Sequence, residues 1–120
     1  MEQITFPFDT DALFKKAVKS QNLPRNDFQK QAILLRILAD FEDKRIYSEQ
    51  EVNEIIKKYF EDFTTLRREL INFGYMQRKP LTGEYWVVKR IFTKEDVRKN
   101  TILRRHAQPY KILEEDSPKP

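Results

Sequence analysis

The stretch from Ile46 to Lys89, IYSEQEVNEIIKKYFEDFTTLRRELINFGYMQRKPLTGEYWVVK, decides the fold. Ser48 is followed three residues later by Glu51, the spacing of a capping box in which each side chain satisfies the other residue's free backbone N–H. Tyr47 and Val52 occupy the two positions of a hydrophobic staple, so independent cues start a helix at Ser48. Val52, Ile55, Ile56 and Tyr59 then recur at helical spacing, which buries one face and leaves Glu54, Lys57 and Lys58 to water. The pattern predicts an end near Phe60.

No glycine or proline separates this helix from the next apolar pattern, so the turn at Phe60 and Glu61 is short and Asp62 caps a second helix. Phe63, Leu66, Leu70 and Phe73 share one side of it, and Gly74 is a natural stop. At roughly 100° per residue, Thr64, Arg68 and Asn72 lie nearly opposite that stripe with Thr65 beside them, while Arg67 and Glu69 fall on opposite flanks. Arg68 therefore points outward, and Arg67 is within reach of either a phosphate or a carboxylate of the domain itself. The run YMQRKPLTGEYWVVK places aromatic and branched residues on both sides of Pro80, Leu81, Thr82 and Gly83, which is hairpin chemistry. Arg78 and Lys79 precede the turn, and Lys89 and Arg90 end the second strand. Of the alternating pair Tyr85 and Trp86, a buried Trp with its N–H satisfied is preferred over a base-stacking one. With a short strand at Ile46 and Tyr47, the order is that of a winged helix-turn-helix.

Flanking elements extend this core. Leu13, Phe14, Ala17 and Val18 form a one-sided stripe over Thr10 to Gln21. Asn26, with Gln29 three residues on, caps a helix running to about Phe41; Ile33, Leu34, Leu35, Ile37 and Leu38 cover more than one face, so it packs on two sides, with Lys30 and Arg36 left to water. Thr93 and Asp96 make a further capping box for one helix ending before Pro109, lined by Arg98, Lys99, Arg104 and Arg105. Packing on the first helix is its leading role, ahead of lying along a nucleic acid or building an oligomer. The expected fold is thus α+β and mainly helical: a winged helix-turn-helix with an added N-terminal helix and a basic C-terminal helical extension. It forms one domain over residues 1–113 with its core at 26–90. A mobile, acidic, proline-containing tail occupies 114–120.

Composition removes several function classes. The chain has 120 residues and 39% hydrophobic content, enough for one modest core. It has no cysteine, hence no disulfide, thiolate metal site or cysteine nucleophile. No stretch approaches the roughly 20 apolar residues of a membrane span, and the amino terminus lacks a basic segment followed by an apolar run, so a soluble cytoplasmic protein is expected. With two glycines there is no glycine-rich phosphate loop. The single histidine, His106, reads as a surface residue without a serine nucleophile or second imidazole nearby. No enzyme, cofactor or metal is expected.

Charge points elsewhere. Residues 1–62 carry −2, residues 63–113 carry +8 and residues 114–120 carry −2. Positive charge thus begins inside the second helix of the motif and continues through the hairpin, the asymmetry of a polyanion-facing side.

The run from Tyr47 to Arg78, with its Glu51, Val52, Asn53 triplet, Asp62, the Leu66 to Leu70 block and Gly74, together with the helix from Ile33 and the pair Tyr85 and Trp86, resembles an uncharacterised bacterial family, domain of unknown function 2087. The resemblance spans roughly Phe28 to Val88. It implies a bacterial source and a link to helix-turn-helix regulators, and it supplies no site.

The leading functional expectation is a nucleic-acid-binding winged-helix protein, a small bacterial DNA-binding transcriptional regulator, with RNA as the other polyanion. Thr64, Thr65 and Arg68 would meet base edges, and Arg67, Arg78, Lys79, Lys89 and Arg90 would meet phosphates. Glu61 and Asp62, at the start of the outward helix, argue against it by repelling phosphate. The rival is a protein–protein interaction module that turns the same helix and hairpin toward an acidic partner or regulator. A specific DNA reader also calls for a homodimer, with the first helix or the segment 93–107 at its interface.

Overall fold

Local hydrogen bonding sets where each helix begins. In the computed structural model, which describes residues 2–113, Asp9 caps α1 (Thr10–Ser20), Asn26 caps α2 (Asp27–Leu38), Ser48 caps α3 (Glu49–Lys57) and Asp62 caps α4 (Phe63–Asn72). Both halves of the Ser48 and Glu51 capping box are formed, at 3.1 and 2.9 Å. After α4 comes a hairpin, β1 (Met76–Lys79) antiparallel to β2 (Glu84–Val87), with Met76 opposite Val87 and Lys79 opposite Glu84. Two short helices, α5 (Lys94–Lys99) and α6 (Thr101–Ala107), and a 3-10 turn at Gln108–Tyr110 complete the described chain. The architecture is mainly helical, α+β, with six α-helices and a two-stranded sheet among the described residues. The tail at 114–120 lies outside them.

The central helix α2 is packed on two sides, as its broad apolar surface requires. Ile33, Leu34, Ile37 and Leu38 join Phe14, Tyr47, Val52, Ile56, Leu66, Leu70, Tyr75 and Tyr85 in one core. Phe28 enters a second cluster with Ile4, Phe92, Val97, Leu103 and Ala107. That cluster depends on the N-terminal segment, where the Ile4 N–H donates to the Phe92 carbonyl at 2.8 Å and Gln3 pairs with Thr93. Where a short strand over Ile46 and Tyr47 is expected, Tyr47 alone meets Tyr85 in an isolated antiparallel bridge.

Several expectations are corrected. The helix from Asn26 stops at Leu38 rather than near Phe41, because the N–H groups of Asp40 and Phe41 bond three residues back and tighten the last turn. Phe41 then turns inward against the Tyr47 ring, at 5.1 Å between centroids. Lys30 is not left to water; it pairs with Asp27 at 3.1 Å and Glu69 at 2.7 Å. Burial alone lowers its pKa, but the two carboxylates outweigh it and hold the ammonium above the ordinary lysine value. Tyr85, not Trp86, is the buried ring of the hairpin, and Trp86 is half-buried on the other face. The carboxy-terminal helix breaks in two at Asn100, whose extended backbone ends α5 while its side chain accepts from the Ile102 and Leu103 N–H groups and caps α6. α6 packs on α2, not on α1.

Two polar contacts tie the layers, one buried and one part-buried. Tyr75 and Gln31 are both 0% exposed, and the phenol donates to the Gln31 amide oxygen at 2.7 Å. Arg90 closes the end of α2, donating to the carbonyls of Leu38, at 2.8 Å, and Phe41, while its Nε pairs with Asp43 at 2.6 Å.

Tyr75→Phe leaves the buried Gln31 oxygen without its donor, so unfolding free energy should fall by about 1–3 kcal/mol in urea titrations. A change within error would show that the pair contributes no net stability. Acid sensitivity gives a second test. Burial raises the Asp96 carboxyl, but the Thr93 backbone N–H and the Lys89 ammonium at 3.0 Å outweigh it and hold the pKa below the usual carboxylate value. A depressed carboxyl stabilises the fold above its unfolded pKa of ~3.9 and loses that stabilisation as pH falls through the lower folded value. Asp96→Asn should therefore flatten the decline of stability below about pH 4, and an unchanged slope would refute the assignment.

Candidate nucleic-acid interface

Three arginines from two elements meet in one groove. On α4, Arg68 is exposed and has no ion pair or side-chain hydrogen bond among the described residues. Arg67, 15% exposed, turns to α3, where its Nη1 donates to Asn53 Oδ1 at 2.5 Å and its Nε lies 3.7 Å from Glu49 Oε1. Arg78 is in register with Tyr85, so both occupy the hairpin face that meets the helices, and its guanidinium lies 5.9 Å from the Tyr85 ring centroid. Arg67, Arg68 and Arg78, with Ile71, Asn72, Glu49 and Tyr85, bound a groove of about 420 Å³ between α4, the start of α3 and the hairpin.

The groove's single carboxylate is already engaged. Glu49 Oε1 accepts from the Tyr85 hydroxyl at 2.9 Å. Burial first, and then that hydrogen bond, push the phenol pKa up, so Tyr85 stays a proton donor at neutral pH. Three guanidinium groups against one carboxylate leave the groove an excess of positive charge.

The other residues singled out in the sequence scatter. Thr65 is held locally, its hydroxyl donating to Asp62 Oδ2 at 2.7 Å. Thr64 is half-buried one helical turn before Arg68. Lys79 is exposed but faces the opposite side of the hairpin from Arg78, opposite Glu84 in register. Lys89 pairs with Asp96 at 3.0 Å and lies 5.2 Å from the Tyr75 ring centroid. Arg90 is the clamp on α2. The eight candidates thus divide into three that share the groove, two drawn into the fold and three elsewhere on α4 and the hairpin.

Two residues matter in ways the sequence did not indicate. Gln21, in the left-handed conformation at the end of α1 (φ 57°), donates its amide to the Tyr59 carbonyl at 2.9 Å and accepts from the Glu61 N–H at 2.9 Å, which fixes the turn between α3 and α4. His106 is not a surface residue; half-buried, it accepts the Asp27 N–H on Nδ1 at 2.6 Å and closes the start of α2. Among the described residues, no group of three or more His, Asp or Glu side chains is arranged to hold a metal ion. No described helix is long and apolar enough to cross a membrane.

Neither a curated protein nor a solved structure compared with the chain matches it. One family model does, over residues 20–87, which takes in α2, α3, α4 and the hairpin and leaves out most of α1 and all of α5 and α6. The chain belongs to that family, described as an uncharacterized protein conserved in bacteria (DUF2087).

Proposed function

We propose that the chain is a nucleic-acid-binding protein of the winged-helix type, a small bacterial DNA-binding transcriptional regulator. The observation that carries this reading is that Arg68 and Arg78, from the outward side of α4 and the inner face of the hairpin, line one groove with no carboxylate of their own. The winged-helix part is supported by the order α2, Tyr47 bridge, α3, α4, β1, β2, with the bridge adding a third strand position to the hairpin. In this reading α4 enters the major groove with Arg68 and Asn72 outward, and Lys79 reaches the backbone from the hairpin.

Glu61 and Asp62 stand at the start of α4, and Asp62 is occupied by capping. The nucleic acid therefore meets the middle and end of α4, where the arginines are, and not its first turn. Two copies would be needed to read more than a few base pairs, with α1 or the segment 93–107 joining them.

A protein-interaction role has its own support. The bridge register places Ile46 beside Trp86 on the hairpin's outer face, where Ile46 is 59% and Val88 44% exposed. Exposed apolar neighbours of this kind suit a protein partner.

Binding of mixed-sequence duplex DNA, followed by fluorescence anisotropy across a salt series, separates the two. Affinity should fall as salt rises, because phosphate contacts release counterions. Arg78→Ala should reduce the salt slope by about 1, whereas Arg90→Ala should lower stability and leave the slope unchanged. If the protein binds no duplex at low salt, or binds with no salt dependence, the DNA reading is wrong.

A further inference from the structure

We infer that the groove between α4, α3 and the hairpin is a site for a single phosphate group, in which Glu49 holds the place of the phosphate until one arrives. The inference deepens the nucleic-acid reading, because a backbone phosphodiester is the phosphate it would receive, and it rests on that reading for the identity of the ligand.

Arg67 carries the argument. A guanidinium has five N–H donors in a planar fork. Among the described residues, that of Arg67 makes one hydrogen bond, from Nη1 to Asn53 Oδ1. Its approach to Glu49, at 3.7 Å from Nε, is an ion pair beyond hydrogen-bond distance. Among the described residues no buried side-chain nitrogen lacks a partner, so the rest of the Arg67 fork, on a side chain only 15% exposed, opens on the groove that it borders. The nearest negative charge attracts it without supplying the two parallel acceptors that a guanidinium favours.

A phosphate supplies them. Its oxygens can face Arg67 from α4, Arg68 one residue along and Arg78 from β1, all bordering the same space. Glu49 is not free to compete fully, because its Oε1 already accepts from Tyr85. Tyr85 in turn is buried and paired through its backbone with Tyr47, which fixes the carboxylate at the groove's edge. The carboxylate thus holds Arg67 in position beside the groove and lowers affinity for the anion, a positioning role that also limits non-specific binding.

The test uses the full chain labelled with 15N, with the arginine Nε–H signals followed during titration with inorganic phosphate at constant ionic strength and, separately, with mixed-sequence duplex. The signals of Arg67, Arg68 and Arg78 should move together, while that of Arg90, outside the groove and held by the Leu38 and Phe41 carbonyls and Asp43, stays still. Glu49→Gln, which keeps an acceptor for Tyr85, should tighten phosphate and duplex binding by about threefold.

Equal movement of all arginines, no movement in the groove, or a Glu49→Gln variant that binds both no more tightly would overturn the proposal. Groove shifts with inorganic phosphate but no binding of duplex would uphold the phosphate site and assign it to a small phosphorylated ligand, and the nucleic-acid reading alone would fail. Duplex binding that leaves the three groove signals unmoved would do the reverse.

Discussion

Two backbone hydrogen bonds between Tyr47 and Tyr85, N–H to carbonyl in both directions at 2.8 Å, fix the hairpin to the helices, and the groove depends on them. A lone two-stranded hairpin is marginal in water. Here the bridge gives β2 a second pairing partner and determines which face of the hairpin meets the core. With Tyr85 inward, strand alternation sends Arg78 inward and Lys79 outward. A slip of one residue would exchange these faces, bury Trp86 and carry Arg78 away from α4. The same tyrosine then reaches Glu49 with its hydroxyl, so one residue sets both the register of the hairpin and the position of the groove's carboxylate.

The segment after the hairpin shows why charge counted along a chain overstates charge offered to a ligand. Residues 63–113 carry +8, yet Lys89 and Arg90 are turned into the fold. Their partners are what helix ends and capping boxes provide. The last carbonyls of a helix lack intrahelical donors and draw cations, as Leu38 draws Arg90. The Asp96 carboxylate caps α5 and draws Lys89. Lys99 similarly lies 3.8 Å from Glu95 on its own helix. The positive charge left without partners lies at the groove, at the hairpin tip and on α6, where Arg104 and Arg105 are exposed and make no ion pair among the described residues.

Helix starts are legible in the sequence because capping is local: Ser48 with Glu51, Asn26, Asp62, and Thr93 with Asp96 each act within three residues. The outward direction of Arg68 comes from helical geometry alone. The features that stay hidden depend on contacts distant in sequence. The choice between Tyr85 and Trp86 is made by pairing with Tyr47, 38 residues earlier, and the clamp on α2 joins Arg90 to carbonyls about 50 residues back. Gln21 and His106 act across 40 and 79 residues, on the α3–α4 turn and on the start of α2. Two further features do have local signals. Asn100 is a good cap residue, and it divides the basic segment into α5 and α6. Ile4, Phe6 and Phe8 alternate at period two, the pattern of an extended segment with one buried side, and all three join the second cluster.

The rotation of α4 about its own axis is fixed by the residues on either side of Arg68. Glu69 is drawn to Lys30 on α2 at 2.7 Å, and Arg67 is drawn to Asn53 and Glu49 on α3. Neighbours two apart in sequence lie about 200° apart around a helix, so these attachments pull on opposite flanks and leave the residue between them facing out. Apolar packing through Leu66 and Leu70 alone would tolerate some rolling, because it is non-directional. Hydrogen-bonded charges are not so tolerant, since parting one from its partner in a half-buried site leaves it unsatisfied. The order Arg67, Arg68, Glu69 is therefore a single device: two charges orient the helix so that the third is available.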